Sequence, residues 1–170
     1  RFVHMLLELQ KIQLTPGVKT AVREALVQMV TYAPEMRTLT ILASEVGRRI
    51  PALREALRPY TVEGDYGQIF DGDKDEFSCS RWTMIEMGHL MSMGEDVILP
   101  ALEYLFRRIE GQFNGDPTLL VLDEAWLFLG HPAFAKRLKA WLKTLRKKHV
   151  YVVFGTQEIE DATKQQELMA

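Results

Sequence analysis

Hydrophobic residues in the second half of the chain fall into two unbroken runs separated by a segment with helical spacing. The runs cover 119–122 and 150–154, and the segment 132–148 repeats apolar residues at the i, i+4, i+7 and i+8 positions. An unbroken apolar run is typical of a parallel strand covered by helices on both faces, whereas the spaced segment is typical of an amphipathic helix. The pattern therefore predicts a strand, a helix and a second strand parallel to the first.

Helical spacing dominates residues 1 to about 60, in four segments. One helix is predicted to begin at Thr15-Pro16, because threonine is a favoured N-cap and proline fits the first turn. Further helices are predicted over about 39–46 and from Pro51 onward. The predicted buried face of the helix after Pro16 consists of apolar residues at helical spacing: Val18, Val22, Leu26 and either Met29 or Val30.

In the middle of the chain, the sequence predicts a strand followed by a helix. Residues 77–87 are rich in aromatic, threonine and isoleucine residues, which favours a strand, and 95–109 has helical spacing. The sequence thus predicts an α/β fold with two parts. Residues 1–60 form a helical subdomain inserted in the larger domain, and residues 61–170 form the α/β core.

Acidic and amide side chains follow the two apolar runs, at the points where the predicted strands end. Asp123 and Glu124 follow the first run, which is the pattern of a Walker B segment, and Gln157 follows the second. Because ligands of open α/β sheets bind outside the carboxyl ends of the strands, all three are predicted to meet at one edge. The alternative is that the acid pair only caps the next turn, as acids often do.

Phosphoryl-transfer chemistry assigns a role to each of these residues, since such sites mostly position groups and stabilise charge. Asp123 is predicted to hold hydrated Mg²⁺, which prefers carboxylate oxygen and keeps much of its water. Glu124 is predicted to orient or deprotonate the water that attacks the γ-phosphate of ATP. Gln157 is predicted to sense that phosphate, because its amide both donates and accepts hydrogen bonds.

A phosphate-cradling loop of the form G-x-x-x-x-G-K-[ST] does not occur among the 170 residues. The glycine-rich stretches 64–67 and 70–72 lack a following Lys-Ser or Lys-Thr pair and are interpreted as turns. The chain also begins at Arg1 rather than at methionine. We therefore expect a fragment whose upstream part carries the loop, and we expect the fragment alone to be inactive as an ATPase.

Several strings between about Tyr60 and Asp161 agree in order and spacing with one known family. GDYGQIFDG, RWTMIEMGHLM, LLVLDEAWLFL and FAKRLKAWLKTLRKKHVYVVFGTQ resemble the conjugal transfer ATPases of type IV secretion systems, the TrbE type. The resemblance implies a RecA-like P-loop NTPase core that uses ATP and Mg²⁺ to drive pilus biogenesis or substrate transfer. It also implies a hexamer on the cytoplasmic face of the bacterial inner membrane, beside other secretion subunits.

The same resemblance extends to individual residues only where they match. Asp123 and Glu124 match the family's Walker B acids, and Gln157 matches its glutamine after the next strand. Arg146 and Lys147, in the TLRKK-like stretch, become candidates for reaching the nucleotide of a neighbouring subunit.

Seven cations crowd the predicted helix without an acid among them, and two interpretations stay open. One is a contact with DNA, with an acidic neighbour or with a phosphate across a subunit interface. The other is a solvated face with favourable charge at the helix C-terminus. The cations are Lys136, Arg137, Lys139, Lys143, Arg146, Lys147 and Lys148.

Composition is that of an ordinary globular domain, with 47% hydrophobic and 26% charged residues. The net charge of −2 gives no overall attraction to nucleic acid. No apolar run approaches the roughly 20 residues that span a bilayer, so membrane attachment is expected through partners. The lone Cys79 cannot form an internal disulfide, which fits a reducing cytoplasm.

Two other functional classes remain as alternatives. An ABC-type ATPase also ends a strand in Asp-Glu, but the chain shows neither an LSGGQ-like signature nor a histidine after the next strand. The second alternative is a non-catalytic module that docks subunits of the secretion complex.

Overall fold

A computed structural model describes residues 1–123 and 132–155 of the chain. The chain divides into two compact units, 1–105 and 106–170. The described residues form eight α-helices and two strands. They are α1 Phe2–Leu9, α2 Pro16–Met29, α3 Leu39–Gly47, α4 Pro51–Leu57, α5 Gly67–Phe70, α6 Gly88–Met91, α7 Glu95–Glu110, β1 Thr118–Leu122, α8 Pro132–Leu145 and β2 Val150–Phe154.

The first unit is built around a core to which α1 to α4 contribute, as the helical spacing predicted. Its most buried side chains include Leu6, Val46 and Leu57, all with no exposed surface. Tyr60 is equally buried, and burial raises the pKa of its phenol to about 12, so the ring stays neutral at physiological pH. The rings of Tyr66 and Phe70 pack on Tyr60 at centroid distances of 5.8 and 5.6 Å. The segment after Tyr60 therefore belongs to the same core, and the domain boundary near residue 60 stays a prediction.

The N-cap that the sequence predicted for α2 is present in the structure. Thr15 Oγ1 accepts a hydrogen bond from Val18 N at 3.3 Å, and Pro16 occupies the first turn. The buried face differs in part from the prediction, because Leu26 and Val30 are exposed by 40% and 68%. Ala21 and Ala25 lie on that face instead. Alanine was missed because its small side chain contributes little to a hydrophobic pattern.

One carboxylate joins three segments of the first unit. Asp71 Oδ1 accepts a hydrogen bond from Thr40 N at 3.0 Å, in the first turn of α3. Its Oδ2 accepts from Val62 N at 2.8 Å and also from the Thr40 hydroxyl. The carboxylate thus satisfies an orphan N–H of the helix and a loop N–H together. We refer to this arrangement of Thr40, Val62 and Asp71 as the Asp71 clasp.

The predicted strand over 77–87 is absent, since this segment has no regular structure. A strand needs a neighbouring backbone, and here local side chains take the backbone hydrogen bonds instead. Ser80 N donates to Thr83 Oγ1 at 2.9 Å, and Phe77 N donates to Asp75 Oδ1 at 3.1 Å. The resulting turn leaves Trp82 85% exposed. Strand-forming residue types therefore did not suffice without a pairing partner.

The second unit contains the predicted strand–helix–strand pattern, described over 106–123 and 132–155. Strands β1 and β2 are parallel neighbours in a register that runs from Thr118 opposite Val150 to Leu122 opposite Phe154. Helix α8 contacts β2 and buries Leu138, Trp141 and Leu145. The Trp141 ring lies 4.3 Å from that of Phe106, between centroids.

Only one face of this sheet is shielded by the residues that the structure describes. Leu119, Val121, Tyr151 and Val153 point to the other face and are 64%, 57%, 67% and 47% exposed. We refer to these four residues as the bare face. Helices were expected on both faces of the sheet, and among the described residues a helix covers one of them. The single helix α8 between the two strands can cover only one face.

The observed fold confirms an α/β chain with parallel strands and a helical N-terminal part. The RecA-like character of the core goes beyond a two-stranded sheet and is taken up as a proposal below. Within 1–123 and 132–155, none of the helices combines the length and apolar character that a bilayer crossing requires.

Candidate functional site

The carboxyl edge of the sheet is where the sequence placed its acids, and the structure shows Asp123 there. Asp123 follows Leu122, the last residue of β1, and Gly155 follows Phe154, the last residue of β2. Gly155 N donates a hydrogen bond to Leu122 O at 2.9 Å, which extends the parallel pairing to this point. Asp123 and Gly155 are therefore direct neighbours across the two strand ends.

The Asp123 carboxylate lies against the α-carbon of Gly155. A Cβ at position 155 would collide with Asp123 Oδ1 and would lie 3.3 Å from its Cγ. The side chain of Asp123 thus lies over the end of β2 while the residue remains exposed. This contact was not predicted from the sequence, although a glycine directly after a strand was a usable signal.

Two predicted members of the site, Glu124 and Gln157, lie outside the described residues, as does Asp161 at the end of the family resemblance. Their meeting with Asp123 at one edge stays a prediction. The parallel register is consistent with it, since the segments that contain Glu124 and Gln157 both begin at the carboxyl edge of the sheet.

The chemistry of the described edge suits a hydrated magnesium ion brought in with a nucleotide. Mg²⁺ is usually held by one or two carboxylates plus substrate phosphates, and it keeps several waters. Asp123 offers one exposed carboxylate, and no group of three or more metal-ligating side chains occurs among the residues described. A single exposed carboxylate fits an ion that is held mainly by its nucleotide.

Arg146 and Lys147 are placed at the opposite end of the sheet from Asp123. Both are exposed and belong to a single 3₁₀ turn, Arg146–Lys148, that follows α8 and precedes β2. The five residues of β2 separate this turn from Gly155, which is roughly 16 Å at the usual strand rise. The structure does not bring these cations together with the Asp123 of the same chain.

Part of the basic run has a structural role within the second unit. Lys148 Nζ lies 3.3 Å from Glu110 Oε1 and donates to Glu110 O at 3.3 Å. His149 adopts a left-handed conformation with φ of 56°, and its Nδ1 lies 2.9 Å from Gly115 O. Lys148 and His149 therefore hold the turn before β2 to residues 110–115. Lys143, Arg146 and Lys147 remain as the exposed cations of the run whose side chains are described.

A surface depression in the first unit offers arginines but no comparable site. Its lining includes Arg48, Arg54 and Arg58. Glu45 lies 2.8 Å from Arg48, and Glu55 lies 3.6 Å from Arg58, measured between charged atoms. Because these carboxylates offset the positive charge, the depression is a weak anion site, and the sheet edge remains the candidate.

Comparison with known proteins gives relatives of one kind. The conjugal transfer protein TrbE of Rhizobium radiobacter is 39% identical over 163 residues, which are 96% of this chain and 19% of that protein. A probable conjugal transfer protein of Sinorhizobium fredii, also a TrbE, is 42% identical over 163 residues, 96% of this chain and 24% of that protein. The type IV secretion system protein virB4 of Bartonella quintana is 32% identical over 107 residues, 62% of this chain and 14% of that protein.

No family model matches the chain. The chain spans about a fifth to a quarter of the length of the two TrbE relatives. The similarity reaches across both units, since it covers nearly all of the 170 residues.

Proposed function

Because this chain is a TrbE-type segment, related over 96% of its length to conjugal transfer proteins, we propose that it belongs to a type IV secretion ATPase. In this proposal the longer protein couples ATP hydrolysis to pilus assembly or to the transfer of DNA or protein. The observation that carries it is the position of Asp123 at the carboxyl edge of a parallel sheet, beside the end of the next strand.

The roles at the edge follow from what each side chain does chemically. Magnesium bound with ATP supplies positive charge that offsets the charge of the phosphates. Asp123 accepts hydrogen bonds from the water shell of that ion. Glu124 takes a proton from the attacking water, and Gln157 donates a hydrogen bond to the γ-phosphate. A RecA-like core, with further parallel strands beside β1 and β2, is the framework in which these roles are proposed.

The loop that cradles the phosphates is proposed to come from another segment of the longer protein. Its absence from these 170 residues is consistent with the small share of each TrbE relative that the chain represents. We further propose a peripheral location on the cytoplasmic face of the inner membrane, held by other type IV secretion subunits.

Arg146 and Lys147 are proposed to act on the nucleotide of a neighbouring copy. Their distance from Asp123 within one chain supports an action between subunits rather than within one. In a head-to-tail ring, two different surfaces of neighbouring subunits meet, and in this proposal the amino edge of one sheet faces the carboxyl edge of the next. A hexameric ring is the assembly implied by the family resemblance.

A non-catalytic docking module is the second candidate, and the bare face favours it. Four apolar side chains on one sheet surface form the kind of patch that marks an interaction site. In that case the acids are vestigial, and the segment only binds other subunits of the secretion complex.

Turnover of ATP by the longer protein that contains this chain separates the two candidates. Glu124→Gln keeps the shape of the side chain and removes the base, so turnover is expected to fall by roughly 10²-fold or more while nucleotide still binds. Glu63→Gln, an exposed acid in the first unit, serves as the matched control and should leave turnover unchanged. Equal turnover by Glu124→Gln and the unmutated protein contradicts the assignment. No turnover by either protein favours the docking module.

A further inference from the structure

The end of β2 approaches the Asp123 carboxylate so closely that a Cβ at position 155 would force this carboxylate to move. A Cβ there would collide with Asp123 Oδ1, and it would also lie 3.4 Å from Asp123 Cα. The contact with Oδ1 involves the far end of the Asp123 side chain, whereas the contact with Cα is at ordinary van der Waals distance. A side chain at position 155 would therefore occupy space that the Asp123 carboxylate takes.

Backbone conformation does not explain the glycine. Among the described residues, Gly115 is the glycine with a positive φ, at 103°, and Gly155 lies outside the left-handed region. Its amide makes the regular parallel hydrogen bond to Leu122 O, as any strand residue would. An alanine at 155 therefore fits the backbone, and its main consequence is displacement of the neighbouring carboxylate.

We propose that Gly155 is a positioning residue, whose missing Cβ holds the Asp123 carboxylate in the orientation that receives the hydrated magnesium of the nucleotide. This role rests on the proposed function. Hydrated magnesium has little tolerance in its octahedral geometry, so a carboxylate rotated away from the sheet edge binds it less well. Gly155 directly follows β2, so the ends of both strands contribute to the position of the Asp123 carboxylate.

Replacement by alanine separates this role from a contribution to stability. Because the closest contact is with the far end of the Asp123 side chain and not with backbone, Gly155→Ala is expected to leave the unfolding temperature close to that of the unmutated protein. Gly94→Ala is the matched control, since a Cβ at position 94 meets no atom within 4 Å. Both variants are made in the longer protein that contains this chain.

The primary measurement is binding of Mn²⁺ in the presence of ADP, followed by electron paramagnetic resonance, with Mn²⁺ as the probe for magnesium. Gly155→Ala is expected to weaken Mn²⁺ binding about tenfold or more, the usual loss when a group that orients a metal ligand is changed. Higher magnesium concentrations should restore much of its ATP turnover. Gly94→Ala should bind Mn²⁺ like the unmutated protein.

Each other outcome contradicts the proposal in a recognisable way. Equal Mn²⁺ binding by both glycine variants overturns the positioning role and leaves the proposed function intact. Unfolding of Gly155→Ala shows that the close approach serves packing alone, which also overturns it. If the unmutated protein shows no nucleotide-dependent Mn²⁺ binding, the proposed function fails, and the role of Gly155 fails with it.

Discussion

At the scale of single residues, the first unit depends on a carboxylate that the sequence did not single out. Asp71 lies in the GDYGQIFDG string and was interpreted as belonging to a turn, yet it bonds to the first turn of α3 and to residue 62. These partners are 31 and 9 residues away along the chain. Contacts over such distances leave no periodic trace, so the Asp71 clasp could not be predicted from pattern alone.

Removing this carboxylate should destabilise the first unit. Asp71→Ala removes the acceptor of Thr40 N and of the Thr40 hydroxyl, whereas Val62 N keeps a second acceptor, Thr40 Oγ1 at 3.0 Å. A hydrogen bond to a charged group contributes about 1.5–3 kcal/mol. We expect a loss of roughly 2 to 3 kcal/mol in the free energy of unfolding, measured by urea denaturation. Asp73→Ala changes an exposed acid two residues away and should cost under about 0.5 kcal/mol. Equal stability of the two variants would contradict the clasp.

Residues at the sheet edge show the complementary case, in which the sequence was informative. Asp123 was predicted from an apolar run that ends in acid, and in the structure it directly follows β1, while its role at the site stays a prediction. Gly155 was not predicted, because its significance lies in the atom that it lacks and in a neighbour 32 positions earlier along the chain. Side chains that carry chemistry can be identified from a sequence, whereas the free volume around them in the folded protein cannot.

At the scale of elements, periodicity was sufficient where an element carries its own signals. Helix α2 has a cap and a proline at its start, and the bounds of β2 match the apolar run 150–154. Residue type alone was insufficient over 77–87, where strand-forming residues have no neighbouring strand in the described segments and make a turn. Helices contain their hydrogen bonds, but a strand depends on a second strand, which explains this difference.

The packing of α8 in the second unit offers a test at this scale. Leu145, at the end of α8, is fully buried, whereas Leu119 on the bare face is 64% exposed. Leu145→Ala is expected to lower the free energy of unfolding by about 2–5 kcal/mol, because it removes buried methyl groups and leaves a cavity. Leu119→Ala changes the same side chain in the open and should cost less than about 1 kcal/mol. Thermal or urea unfolding of both variants checks the difference, and a similar cost for the two would show that the bare face is covered.

At the scale of the whole molecule, the two ends of the sheet carry side chains of opposite charge. Asp123 stands at the carboxyl edge, and Arg146 with Lys147 precedes the amino end of β2. A helix between parallel strands runs back across the sheet, so its last turn necessarily lies at the far edge from the strand ends. The same connectivity that places Asp123 at one edge therefore separates it from these cations.

Mixing two inactive variants tests whether those cations act between subunits. Asp123→Ala and Arg146→Ala in the longer protein should each lower ATP turnover by about 10²-fold or more. If each site combines Asp123 of one subunit with Arg146 of the next, a random one-to-one mixture contains about one intact site in four. Turnover of the mixture should therefore recover to roughly a quarter of the unmutated value.

The control for this experiment is Lys143→Ala, an exposed cation in the last turn of α8, just before the 3₁₀ turn that contains Arg146. It should retain turnover by itself, which excludes a general effect of lost positive charge. A mixture that stays inactive, although the mixed assembly forms, would contradict action of Arg146 between subunits.

The bare face also has a consequence for how this segment behaves when it is made or handled by itself. Its four apolar side chains lie on a sheet of only two strands, whose outer backbone edges have no pairing strand among the residues described. Unpaired edges beside apolar surface are templates for association with other extended chains. We therefore expect this region to need shielding by chaperones during synthesis. The isolated segment is expected to aggregate less in dilute solution than in concentrated solution.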